Sequence, residues 1–449
     1  MVSGERDVHE VHGAVRQEMP RARADLEALV RLPTISSDPA HAADVERAVA
    51  AMAALAVDAG AAEVQHVAAG GHPALVATWP APAGAPTVLL YAHLDVQPTG
   101  PAEGWTSPPF EPTERAGRLY GRGCADDKAG ALMHLAVLRA FAGRPPVGVV
   151  LFLEGEEEIG SPTLPALLAE HRDLLRADVI VIADSANASV DVPAFTTSLR
   201  GLVDVVVECR VLERPVHSGI FGGAVPDALS ALVRLLATLH DDAGDVAVAG
   251  LHTATSGAPA PDVEVFRADA GVLPGVELIG TGTIPERLWH KPALAVLGMD
   301  APSTDEASNV LLPRARAKVS LRLAPGQDEH QALKALTDHL LAHAPWGAQV
   351  EVTTGSIGGA FALEAVGDVY DLARTAFEQA YGNAPVEAGI GGSIPFIAEF
   401  ARTYPGATVL VTGVGDPASR WHGLDESLHL GMWERACLAE ALLLQRLAG

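Results

Sequence analysis

Apolar residues recur at three- and four-residue steps in DLEALVRL and in DVERAVAAMAALAVDAG, which predicts helices within the first 60 residues. Short continuous apolar runs follow: ALVATW at 74–79, TVLLYA at 87–92, VGVVLFLE at 147–154 and DVIVIAD at 178–184. Each reads as a buried strand, and KAGALMHLAVLRAFAG, starting near Lys128, reads as a helix between the second and third. Alternation of such runs with helices predicts a mostly parallel α/β sheet. Near residue 198 the texture changes. GLVDVVVECRVL alternates over part of its length, as in a sheet with one exposed face, and the helix DALSALVRLLATL follows. Residues 241–285 carry little pattern; then AKVSLRL, EHQALKALTDHLLAH and QVEVTT complete a β-α-β-β-α-β-like set. VYDLARTAFEQAY and ATVLVTGVG then resume the earlier style. The simplest reading is one α/β domain, residues 1–197 and 361–449, interrupted by an α+β domain at 198–360.

Composition narrows the partners. The 449 residues include 31 basic and 56 acidic side chains, a formal charge of −25. Nucleic acid and anionic membrane surfaces both need basic footprints, so neither is expected. Three cysteines cannot form a disulfide framework, which points to a reducing cytoplasm. The opening MVSGERDVHEVHGAV has no continuous apolar stretch of the secretory kind, and no apolar run reaches membrane-spanning length.

The acids and histidines fall at informative places. His93 and Asp95 follow TVLLYA directly, Glu156, Glu157 and Glu158 follow VVLFLE, Asp184 ends VIVIAD, and His422 comes shortly after VLVTGVG. Asp126 and Asp127 lie in GRGCADDKAG, just before a helix. Ligands of open α/β sheets gather at the carboxyl ends of the strands. Taken singly, each residue has an ordinary explanation. A lone HxD is usually nothing, a Glu triplet suits a solvated loop or a helix start, and an aspartate at a strand end suits a turn or cap. Together, at successive strand ends, they predict a metal site. Oxygen and imidazole donors favour zinc, cobalt or manganese, and the mix suits two divalent ions.

The chain resembles the di-zinc aminoacylase, carboxypeptidase and dipeptidase family that includes succinyl-diaminopimelate desuccinylase, and most of all its carnosinase and cytosolic nonspecific dipeptidase branch. The stretches that carry the resemblance are YAHLDVQP (91–98), WTSPPFEPTERAGRLYGRGCADDKAG (105–130), LEGEEEIGS (153–161), HSGIFGGAVPDAL (217–229), RLAPGQ (322–327), GGSIP (391–395) and WHGLDES (421–427). The resemblance implies an α/β catalytic domain split by a ferredoxin-like α+β domain that serves as lid and dimerisation surface. It also implies that His93 and Asp184 hold one metal, that Glu158 and His422 hold the other, and that Asp126 bridges them. Asp95 would orient His93 through its second nitrogen. Glu157 would be the general base; the Glu pair directly before the IGS turn selects Glu157 and Glu158 over Glu156.

His217 resembles the histidine that reaches into the partner subunit's site in the family and stabilises the oxyanion, which implies a homodimer. Arg322 would bind a substrate carboxylate, with Asn309 beside the substrate and Gly391, Gly392 and Ser393 at its terminus. Dipeptidase relatives commonly read Arg-Glu-Gly-Gly-Ser where Gly389 and Ile390 precede Gly391. The missing glutamate is a candidate partner for a free α-amino group. The expected activity is therefore hydrolysis of dipeptides or short carboxylate-bearing amides. The rival is a deacylase or N-carbamoyl hydrolase acting on N-blocked amino acids. Two Zn2+ ions are the expected cofactor, with Mn2+ or Co2+ acceptable to the same ligands. Cys124, Cys209 and Cys437 read as packed residues.

Overall fold

The computed structural model describes residues 8–256, 258, 260–390 and 395–449. The chain divides into two units. One takes the chain up to Thr197, Glu364–Ala388 and the chain from Pro395 onward; the other takes Ser198–Leu363 and a short stretch beginning at Gly389.

The first unit is built on a six-stranded sheet. Its strands are β1 (Glu63–Val67), β2 (Ala74–Trp79), β3 (Thr87–His93), β4 (Gly148–Glu154), β5 (Val179–Ile182) and β10 (Thr408–Val411). Their order across the sheet is β1-β2-β4-β3-β5-β10. From β4 to β10 every pairing is parallel, whereas β1 and β2 form an antiparallel flank. All of β4 and β5 is buried, and β3 is buried from its second residue on. That is why these strands read as unbroken apolar runs: helices cover both faces, so neither face tolerates polar side chains. β2 has the same texture but runs antiparallel to β4, a direction its sequence does not reveal. Outermost β1 is short and mostly exposed, which suits an edge.

The helices packed with this sheet include α1 (Val8–Val30), α2 (Ala42–Asp58), α3 (Lys128–Ala140), α6 (Asp368–Tyr381) and α7 (Leu430–Leu447). All of α3 is buried, polar residues included. A helix enclosed on every side must satisfy its polar groups internally. Lys128 Nζ donates to the carbonyls of Leu29 and Leu32, at 3.0 and 2.8 Å. His134 lies between the Glu440 carboxylate and the Tyr91 carbonyl, and Arg139 Nη1 donates to Asp25 at 2.7 Å. These bonds pin α3 to α1, β3 and α7. Truncating an apolar member of this helix, Leu135→Ala for example, costs about 2–5 kcal/mol on the usual cavity scale.

The second unit carries β6 (Gly201–Arg210), α4 (Ala228–Ala237), β7 (Ala293–Asp300), β8 (Arg314–Leu323), α5 (Glu329–Ala342) and β9 (Gln349–Gly358). The sheet order is β7-β8-β6-β9, antiparallel throughout, a ferredoxin-like β-α-β-β-α-β arrangement. Alternate β6 residues Val203, Val205, Val207 and Cys209 join Leu232, Leu235, Leu336 and Leu340 of the two helices in one core. Both helices begin at an aspartate cap: Asp227 accepts from Ser230 N at 2.9 Å and Asp328 from Gln331 N at 2.7 Å. Strand β7 lies in a stretch that the sequence reading leaves unassigned. Most of it is exposed at the sheet edge, and its register shifts between Val296 and Gly298, so no clean alternation marks it.

Candidate metal centre

His93 is the last residue of β3, and its imidazole is fully buried. Ring Nδ1 lies 3.1 Å from the Asp95 carbonyl and 3.5 Å from the Asp95 carboxylate. A carbonyl only accepts, so Nδ1 carries the proton and Nε2 is left to act as a ligand atom. Nε2 lies 3.0 Å from Asp126 Oδ1 and 4.0 Å from both Asp184 Oδ2 and Glu157 Oε2. On the other side of Asp126, Oδ2 is 3.0 Å from His422 Nε2, which is 3.2 Å from Glu158 Oε2.

Among the described residues, two groups bring metal-competent atoms within 4.8 Å of one another: His93, Asp126 and Asp184, and Asp126, Glu158 and His422. Asp126 belongs to both, one oxygen to each. Three carboxylates and two imidazoles are a donor set for borderline divalent cations, and the shared aspartate suits two adjacent ions. The residues present therefore fit the expected pair.

The electrostatics fit as well. Burial pushes the Asp184 carboxyl up to about 7, and Glu157 well above its usual range. Hydrogen bonds to Asp126 and Glu158 raise the His422 imidazole to about 10. Burial opposes charge on His93, but its bonds to Asp126 and Asp95 prevail and raise its pKa well above the ordinary value. Burial would likewise raise Asp126; the two histidines hold it well below the usual range. Acids that hold protons and histidines that gain them mark a place with an excess of negative charge, and divalent cations displace those protons.

Each donor owes its position to local structure. Glu157 and Glu158 sit on a 3-10 turn directly after β4, which ends in left-handed Gly160. The Asp95 carboxylate accepts the backbone N–H groups of both, at 3.1 and 2.9 Å. Gln97 fixes Glu158 twice, donating from its backbone to Oε1 at 3.1 Å and from its side chain to the backbone carbonyl at 2.9 Å. Glu156 is no solvated loop residue. It is buried and accepts from His72 N at 3.0 Å and Thr163 N at 2.8 Å. Tyr91 Oη donates to buried Glu154 at 2.6 Å beneath the turn. His422 lies in a loop where Arg420, His422 and Asp425 all have positive φ. Asp425 anchors that loop by accepting from Thr106 N at 2.9 Å and Thr106 Oγ1 at 2.7 Å. The positioning roles of Gln97 and Glu156 leave no mark in the sequence, because sequence alone reports neither burial nor backbone partners.

The remaining candidates stand apart from this cluster in the chain's division. His217, Asn309 and Arg322 belong to the second unit. His217 is exposed on a two-residue strand paired with Val310–Leu311, and the Asn309 carbonyl accepts from Ser218 N at 3.0 Å. His217 Nδ1 accepts from Gly219 N at 3.0 Å, so the neutral ring presents Nε2–H as a donor. Arg322 is the last residue but one of β8 and is half-buried. Gly391, Gly392 and Ser393 lie outside the described residues. Cys124, Cys209 and Cys437 are free and buried; Cys124 Sγ donates to the Leu119 carbonyl at 3.1 Å and faces no ligand group.

A buried His93–Asp126–Asp184 cluster, joined through Asp126 to half-buried Glu158 and solvent-exposed His422 at the carboxyl ends of parallel strands, defines the class: a metallohydrolase. Residues 89–447 match the Peptidase family M20/M25/M40, and the chain belongs to that family. It is 38% identical over 364 residues to the cysteinylglycine-S-conjugate dipeptidase of Corynebacterium striatum, over 80% of each chain. It is 28% identical over 358 residues to the Beta-Ala-His dipeptidase of Homo sapiens, over 72% of this chain and 68% of that one. Human carnosine dipeptidase 1 has the same fold, with a TM-score of 0.82 at 25% identity over 98% of each chain. The protein is a peptidase of this family. Among the described residues, no helix is long and apolar enough to cross a membrane.

Proposed function

We propose that this chain hydrolyses the amide bond of dipeptides, or of short amides bearing a free carboxylate, with two divalent ions held by His93, Asp126, Asp184, Glu158 and His422. The observation that carries this reading is the pair of donor groups sharing Asp126, with the Glu157 carboxylate alongside. When bound, the ions supply Lewis acidity, acidifying water and polarising the amide carbonyl. Zn2+ suits these donors, and Mn2+ or Co2+ can replace it.

Glu157 belongs to neither donor group, and burial raises its affinity for a proton. That suits a general base, which accepts the proton of the attacking water on a carboxylate oxygen and passes it to the leaving amine. Asp95 holds Glu157 and Glu158 by their backbones and the His93 ring by its carbonyl. His217 stabilises the oxyanion through Nε2–H, reaching the site of a partner subunit in a homodimer. Arg322 takes the substrate carboxylate as a bidentate donor, and Asn309, Gly391, Gly392 and Ser393 complete the substrate's hydrogen bonds. The two relatives named above are dipeptidases, which supports this substrate class. Three unpaired buried cysteines agree with a reducing, cytoplasmic setting.

One observation favours a second reading. By the family resemblance, Ile390 stands where dipeptidases commonly carry a glutamate suited to a free amino group, so N-acyl or N-carbamoyl amino acids are the rival substrates. The deciding experiment compares Ala-Ala and Cys-Gly with their N-acetyl and N-carbamoyl counterparts on Zn2+-loaded protein. Cleavage of the free dipeptides, abolished by chelator and restored by metal, is expected. Turnover of only the blocked compounds overturns the dipeptidase reading, and no hydrolysis of either overturns both.

A further inference from the structure

The ligands of the metal centre come from loops far apart in the chain, so something must hold those loops in register. We propose that Arg122 and Glu426 are positioning residues for the metal centre: a buried ion pair that locks the Asp126 loop, the His422 loop and the segment after Asp95 into one geometry. The inference rests on the metal reading above.

Glu426 comes four residues after His422 and is fully buried, so it looks like one more metal ligand. Its contacts exclude that. Oε2 accepts from Arg122 Nη1 at 2.7 Å and from Gly123 N at 3.1 Å. Oε1 accepts from Ala125 N at 3.0 Å and Asp126 N at 3.2 Å. A carboxylate has about four lone-pair sites, and N–H donors occupy four here. Glu426 therefore binds the backbone of the Asp126 loop instead of a cation. Its own carbonyl accepts from Gly121 N at 3.0 Å, which extends the clamp by one residue pair.

Arg122 carries the same clamp outward. Nη2 donates to the Pro98 carbonyl at 3.2 Å and to the Gly423 carbonyl at 3.1 Å. One guanidinium thus ties the segment following His93 and Asp95 to the residue directly after His422. Only 1% of Arg122 is exposed, and the Trp105 ring centre lies 5.5 Å from its guanidinium carbon. Gly123 has a φ of +80°, and a Cβ there would meet Val96 Cγ1 at 2.5 Å, so the turn that offers its amides to Glu426 admits only glycine.

A buried ion pair contributes little net stability, because desolvation offsets much of its attraction. Its geometric consequence is larger. The amide of Asp126, the residue shared by both donor groups, is itself one of the four donors. Any shift of Glu426 moves that residue directly.

The experiment uses full-length protein stripped with chelator and titrated with Co2+, reading visible absorption and, by competition, the dissociation constant. Glu426→Gln is expected to weaken Co2+ binding about 10–100-fold, the usual effect of losing such an outer partner, and to alter the Co2+ spectrum. Arg122→Lys keeps the charge but not the fork that reaches Pro98 and Gly423 together, and shifts both readouts in the same direction. Glu440→Gln, a buried glutamate outside the centre, is expected to lower the melting temperature and leave Co2+ affinity and spectrum unchanged. Wild-type affinity and spectrum in Glu426→Gln overturn the proposal, as does an equal loss of affinity in Glu440→Gln. If Glu426→Gln does not fold, wild-type Co2+ binding by Arg122→Lys overturns it. Wild-type protein that binds Co2+ but cleaves no dipeptide overturns the proposed activity and leaves this inference standing.

Discussion

Asp95 holds Glu158 by its backbone: Oδ2 accepts the Glu158 amide at 2.9 Å, and Oδ1 accepts the Glu157 amide at 3.1 Å. The His93 ring is nearer to the Asp95 carbonyl than to its carboxylate. The expected contact between side chain and imidazole is thus largely a backbone contact. The carboxylate is directed instead to the turn that carries the proposed base and one ligand.

Asp95→Asn should therefore disturb both jobs at once. The amide side chain keeps one acceptor but turns an NH2 group toward the second backbone N–H, donor against donor. Metal affinity is expected to fall about 10–100-fold, with turnover falling alongside it. Metal titration and steady-state kinetics on one preparation check this. Unchanged values in both would show that the turn holds itself.

Glu157→Gln should separate chemistry from binding. Glu157 lies outside both donor groups, so the variant keeps its metal content by elemental analysis. Turnover is expected to drop about 10²–10⁴-fold, the usual contribution of a positioned general base. Full activity would rule out Glu157 as that base.

Much of this architecture is legible in the sequence, for a physical reason. Strands buried on both faces cannot hide their apolar runs, and the acids that follow β3, β4 and β5 stand out because nothing in such a run explains them. Burial of polar groups leaves no such mark. Glu156, Glu158 and Glu426 look alike in the sequence. One clamps His72 and Thr163, one faces His422, and one is filled by four N–H donors. The direction of β2 and the edge strand β7 are illegible for a related reason: periodicity reports which faces are buried, not which neighbour is paired.

His134→Ala should unfold the protein more readily without touching the site. The ring joins the Glu440 carboxylate, 2.8 Å from Nδ1, to the Tyr91 carbonyl, 3.1 Å from Nε2, and neither His134 nor Glu440 is solvent-exposed. Removing it leaves a buried carboxylate without its partner, a loss of about 3–5 kcal/mol. Denaturant unfolding of the metal-loaded protein measures it. A change below about 1 kcal/mol would mean that water reaches Glu440.

His217 offers a test of the shared site. The proposal gives each active site one histidine from the partner subunit. Mixing His217→Ala with Glu157→Gln subunits one to one should restore about a quarter of wild-type activity, since half the dimers are mixed and each mixed dimer has one complete site. Mixed dimers confirmed by mass spectrometry but without activity would rule out action in trans.

The pH dependence of stability should differ between metal-free and metal-loaded protein. Burial holds the Glu154 carboxyl at about 7 and Asp184 at about 7, against ordinary values of 4.5 and 3.8. Both are raised, so between the ordinary and the folded value the folded chain keeps protons that the unfolded chain has released. Stability from these groups is then fully present below about pH 4 and is lost as pH rises through about 7. Bound cations reverse the sign at Asp184, because they need the deprotonated carboxylate and gain affinity as protons leave. Metal at 100 times its dissociation constant adds about 2.7 kcal/mol. The gap in melting temperature between Zn2+-loaded and chelated protein should therefore widen from about pH 5 to about pH 8. Replacing Glu154 with Gln should flatten the metal-free profile, since the neutral amide still accepts from Tyr91 and has no proton to lose. Parallel melting curves for the two forms across that range would mean that the carboxylates ionise without regard to the metal, and would contradict the cation-centred reading of the site.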